Sequence, residues 1–150
     1  MSLFSRSALI LFLCAQLMAS GAQAQSLGEE DDFRRVSKLI ERQNIEVAFE
    51  EVKKLQEGKS KLSAQSQALM GLIYLELAQP AKAFSFFEKV TFSSTEMDHI
   101  AEAGMAKAEL MLGNLSQARD LAESAYKLNP DELLTKVALA SVLSEQLLHG

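Results

Sequence analysis

The chain has 150 residues, a formal net charge of −5 and one cysteine. A single cysteine argues against a disulfide-stapled fold. Mild acidity without a basic cluster or basic–aromatic interleaving argues against nucleic acid and anionic membrane surfaces as partners.

The N-terminus reads as an export signal. Arg6 gives a short positive region, and Ala8 to Ala19 form an apolar stretch. Ser20-Gly-Ala22-Gln-Ala24 then places small residues where a signal peptidase needs them, so cleavage is expected between Ala24 and Gln25. Twelve mainly apolar residues fall short of the roughly 20 needed to span a bilayer. Cys14 is a poor lipidation site, because Phe12 and Leu13 stand where small residues are required. The expected mature chain of 126 residues holds no cysteine and is one domain long. The expected address is the bacterial periplasm or the exterior.

From there on the apolar periodicity is helical. A first helix is predicted over about Glu29 to Gln43, with Phe33, Val36, Leu39 and Ile40 on one face. Its acidic start suits a helix dipole and lacks the spacing of a calcium loop. Asn44 is placed to cap a second helix, Ile45 to Gln56, which Gly58 ends. A third covers about Lys61 to Ala78, and a fourth opens on Pro80 and reaches Phe92. Ser93-Ser-Thr-Glu96 has capping-box spacing and predicts a fifth helix over about Thr95 to Leu112. Gly113 stops it, and Asn114 is placed to cap a sixth that ends near Leu128. Asn129-Pro130 signals the start of a seventh helix reaching about Leu148.

Ala48, Ala83 and Ala118 recur at intervals of 35 residues, each inside a similar amphipathic stretch. A period of this length marks stacked helical hairpins, each too small to bury its own apolar face. On these residues the chain resembles the tetratricopeptide repeat family. Gly71 and Tyr74 fall at that family's first-helix glycine and tyrosine, and Ala83 and Phe87 at its second-helix alanine and phenylalanine. The next unit matches through Gly113 at the turn, then Ala118, Ala125 and Pro130. It departs where Ala106 and Glu109 replace the glycine and tyrosine. The opening unit keeps Ala48. The resemblance implies an all-α, right-handed superhelical stack of helix-turn-helix repeats. Three hairpins, about 29–62, 64–97 and 99–132, would be followed by a terminal helix over 132–148.

No catalytic or metal-ligating pattern stands out. His99 and His149 are far apart, without cysteine or paired carboxylates at ligand spacing, and His99 is expected at the surface. No phosphate-binding glycine loop, HExxH or GxSxG pattern occurs. No cofactor and no enzymatic activity are expected. Asn114-Leu-Ser116 fits a glycosylation sequon, but the asparagine is weighted towards capping.

The stretch from Leu69 to Leu77 is apolar at nearly every position, wider than one core stripe requires. In the repeat family the first helices line the concave side. The resemblance therefore implies a groove formed by Leu72, Leu75 and Glu76 of the third helix with Lys107, Leu110 and Met111 of the fifth. The competing expectation is that these side chains are covered by the following hairpin. A groove of this kind suits an amphipathic helix or extended segment of another envelope protein. The family's clamp for a C-terminal carboxylate is not expected, since only Arg34 and Lys107 could supply charge and the asparagines are absent. The seventh helix has too few polar residues for a clean outer face. Val137, Leu143, Leu147 and Leu148 are the expected contacts if the protein joins a larger assembly or a second copy of itself.

Overall fold

The computed structural model describes residues 28–57, 62–91 and 96–149. The expected signal, the Gly58 stop, most of the Ser93–Glu96 capping box and the side chain of His149 lie outside them. The described residues form seven helices and no strand: α1 (28–41), α2 (Ile45–Gln56), α3 (Ala64–Glu76), α4 (Pro80–Thr91), α5 (Asp98–Met111), α6 (Leu115–Leu128) and α7 (Leu133–His149). The protein is an all-α stack of helix-turn-helix repeats. None of its described helices is long and apolar enough to cross a membrane.

The repeat is written into the backbone at the three hairpin turns. Gln43, Ala78 and Gly113, spaced like the three alanines, all have positive φ, at 61°, 53° and 83°. In each turn the next residue's N–H reaches back five residues: Asn44 to Leu39 O, Gln79 to Tyr74 O and Asn114 to Glu109 O, all at 2.9 Å. The positive-φ residue itself donates to Ile40, Leu75 or Leu110. This paired pattern closes a helix through a left-handed residue and satisfies its last carbonyls.

The same residues then open the second helices, whose first bonds run from Ala48, Ala83 and Ala118 N–H to Asn44, Gln79 and Asn114 O. That double duty corrects the expected asparagine caps. Neither Asn44 nor Asn114 makes a side-chain cap bond, because ψ values of 58° and 66° are set by the preceding helix's closure and are not the extended values a cap uses. Asn114 Nδ2 instead donates to Glu109 Oε2 at 2.6 Å. A side-chain cap not expected from the sequence forms at Ser63, whose Oγ accepts from Ser66 N–H and opens α3 three residues later than expected.

The seventh helix also starts late, at Leu133. Asn129 Oδ1 accepts from Asp131 N–H, a turn that keeps Pro130 outside the helix. Fully buried Thr135 donates to the Asn129 and Glu132 carbonyls.

Three buried clusters each fuse one hairpin to the first helix of the next. Val36, Ile40, Ala48 and Val52 meet Leu69, Met70 and Ile73. Ala68, Leu75, Ala83, Phe87 and Val90 meet Ile100, Ala101, Met105 and Ala108. Ala103, Ala106, Ala118, Ala122 and Ala125 meet Ala138 and Val142. The alanines at 48, 83 and 118 are fully buried, so small side chains let paired helices approach while larger neighbours fill the space. Tyr74 stacks on Phe86 with ring centroids 5.4 Å apart, tying α3 to α4. On the outer surface, Glu51 bridges Arg35 of α1 and Lys54 of α2. The Lys54 hydrogen bond, with its charge, holds the Glu51 carboxyl below its usual range.

Phe87 occupies the centre of the stack. A methyl placed on Gly71 of α3 would lie 2.6 Å from the ring tip, and one on Gly104 of α5 only 2.3 Å away. The ring is thus inserted between two helices that have no side chain at the point of entry. Gly71 is legible from the repeat; Gly104 is not, since it lies 33 residues on, where the repeat interval of 35 points to Ala106.

Candidate partner-binding groove

The inner helices α1, α3, α5 and α7 share a concave face. Its central cavity holds about 220 Å³ and is walled by residues of all four. From α1 come Phe33, Ser37, Ile40 and Glu41, spaced to share one helical face. Leu72 and Glu76 of α3 follow one turn apart, Ile100 and Lys107 come from α5, Glu132 comes from the turn before α7, and Leu134 and Val137 from its first turns. An adjoining hollow of about 680 Å³ shares Phe33, Ser37, Glu41, Ile100 and Glu132 and extends to Glu30, Arg34, Lys38 and Glu96. The two form one trough with an apolar floor and a charged rim.

Of the groove residues expected from the sequence, the structure brings together Leu72, Glu76 and Lys107. Three others lie elsewhere, which corrects their assignment. Leu75 is buried in the cluster around Phe87, because α3 is packed on nearly every side and most of its apolar run is core. Leu110 turns towards α6 and the alanine-rich cluster. Met111 is exposed at the last turn of α5 and lines neither hollow. Val137, expected at a terminal interface, reaches into the cavity wall as well. Leu143, Leu147 and Leu148 remain on the outer surface of α7, with Leu147 86% and Leu148 74% exposed.

Phe33 and Ile40 were expected on the apolar face of the first helix but not in a groove, and Ser37, Glu41, Ile100, Glu132 and Leu134 were not expected in one either. A signal existed for two of them: one repeat before Leu72 and Glu76 stand Ser37 and Glu41.

The rim is acidic. Around the central cavity Glu41, Glu76 and Glu132 face one cation, Lys107. Glu76 accepts from neutral Gln43 at 3.0 Å. The Ser37 hydroxyl oxygen is buried with no hydrogen-bond partner among the described residues. No group of three or more His, Cys, Asp or Glu that could hold a metal occurs among the described residues, and His99 is half-buried, not at the open surface.

No family model matches the chain, and no curated protein is detectably similar to it in sequence. Solved structures do match its shape. The first TPR domain of human RPAP3 superposes with a TM-score of 0.59 at 15% identity, over 75% of this chain and 87% of that one. The second TPR domain of human RPAP3, solved in complex with an HSP70 peptide of sequence SGPTIEEVD, gives 0.56 at 19% identity, over 80% of this chain and 96% of that one. At these identities the likeness concerns the fold. The stack shares the fold of these tetratricopeptide repeat domains.

Proposed function

We propose that this tetratricopeptide-fold chain is a non-enzymatic interaction module. In this reading it holds a segment of another protein in the trough between α1, α3, α5 and α7. The observation that carries the reading is the trough itself: four helices from separate repeats leave Phe33, Leu72 and Val137 around an open cavity, where an amphipathic segment finds apolar anchors. A structural neighbour solved with a bound peptide adds support from the same fold. In this reading the export signal expected at residues 1–24 would put the partner in the bacterial envelope. Affinity capture from a native envelope fraction tests this, comparing the wild type with Leu72→Gln, whose folding is checked by circular dichroism. Loss of the captured partner by at least tenfold (about 1.4 kcal/mol) is expected. Undiminished capture by a folded Leu72→Gln protein would show that the trough is not the binding surface.

A second reading is favoured by α7. Counting back 34 residues from its partly buried Leu134 and its buried Ala138 and Val142 reaches Ile100, Gly104 and Ala108, which pack on the preceding hairpin. In that register its exposed Ala140 and Ser144 match Ala106 and Leu110, α5 residues that cluster with α6. The outward face of α7 is thus built like a face that holds another helix. On this reading the chain is a subunit of a larger assembly or of a homo-oligomer joined through α7.

A further inference from the structure

We infer that the trough selects a cationic amphipathic segment: apolar side chains for its floor, with at least one Lys or Arg directed at the carboxylates of Glu41 and Glu132. The inference rests on the trough being a binding surface and adds the chemistry of its occupant. Glu41 and Glu132 line both hollows, so their carboxylates are the charges common to the whole trough. Neither carboxylate has an ion-pair or hydrogen-bond partner among the described residues. Of the cations lining the trough, Arg34 is paired with Glu30 at 3.1 Å, and neither Lys38 nor Lys107 forms an ion pair with Glu41 or Glu132 among the described residues.

Ser37 sits one turn before Glu41 on the same face of α1, and its buried hydroxyl has no hydrogen-bond partner among the described residues. Carboxylates accept hydrogen bonds and donate none, so the two unpaired ones leave this part of the trough short of donors. A guanidinium or ammonium supplies donors only. An acidic segment would add like charge to a trough lined by Glu30, Glu41, Glu76, Glu96 and Glu132 against Arg34, Lys38 and Lys107.

Two synthetic amphipathic peptides with identical leucine positions test this, one carrying lysine and the other glutamate at the polar positions. Binding of each to the whole chain is followed by fluorescence anisotropy. The lysine peptide should bind about tenfold more tightly, the effect of two partly exposed charge pairs. Raising the salt concentration should shrink the preference. Glu41→Gln with Glu132→Gln should abolish it, whereas Glu88→Gln with Asp120→Asn, on the outer helices, should leave it in place. Equal binding of the two peptides, or preference for the glutamate peptide, with both lost in Leu72→Gln, would overturn the charge selection and leave the trough standing. A preference that survives Glu41→Gln/Glu132→Gln, or falls equally in the outer control, would reduce it to general attraction to an acidic protein and overturn it. Failure of both peptides to bind would overturn the trough and the selection together.

Discussion

Three turn residues perform the same conformational task with unequal fitness. Gly113 adopts its positive φ without a side chain, while Gln43 and Ala78 hold theirs against the contact between Cβ and the carbonyl oxygen that disfavours this region. Ala78 is exposed and has little packing to lose. Ala78→Gly should therefore stabilise the protein by about 0.5–1 kcal/mol, the relief of strain less the extra freedom of an unfolded glycine. Gly113→Ala should cost about 1 kcal/mol although nothing lies within 4 Å of the added methyl. Urea denaturation measures both. Loss of stability in Ala78→Gly would refute the account of the turn.

Between elements, the tip of Phe87 decides how closely α3 and α5 approach. The ring is fully buried and has a glycine backbone on either side, so it has no direction of retreat. Gly104→Ala would normally gain about 1 kcal/mol of helix propensity, yet overpacking outweighs it, and a net loss of about 1–2 kcal/mol is expected. Shortening the intruder relieves the clash. Phe87→Leu combined with Gly104→Ala should thus be less destabilised than the sum of the single changes by more than about 0.5 kcal/mol. Strict additivity in thermal or urea unfolding would mean that ring and methyl do not compete for the same space.

For the whole molecule, the outward side of α7 bears on oligomeric state. Leu143, Leu147 and Leu148 project from it, 45%, 86% and 74% exposed. Sedimentation of the purified chain should show association that rises with concentration and vanishes in Leu143→Glu with Leu147→Glu. A wild type that stays monomeric at the highest concentration reached would sink this reading and leave the trough untouched. At this scale the recurrence of small residues proved a sound guide. Ala48, Ala83 and Ala118 mark the buried contacts of three hairpins, and the positive-φ turns keep the same spacing. The inner helices were harder to read. α3 buries seven residues distributed around its axis, so its sequence has no single apolar stripe to separate core from groove. Leu75 was therefore taken for a groove residue while Ser37 and Glu41 passed unnoticed. The capping reading of Asn44 and Asn114 failed for a related reason: a residue's preference for a helix start could be read, but not that its backbone was already committed to closing the helix before it.

Interval, residue size and turn chemistry act along the chain, which is why the all-α repeat architecture, the order of its hairpins and the positions of their turns followed from the amino acids alone. The identity of the trough depended on how each inner helix is rotated about its own axis. Leu72 and Leu75 are less than one turn apart, yet one lines the cavity and the other is sealed beside Phe87. That rotation is set by Phe87 entering between Gly71 and Gly104 and by the clusters that bind each hairpin to the next, contacts between residues distant in sequence that only the assembled stack defines.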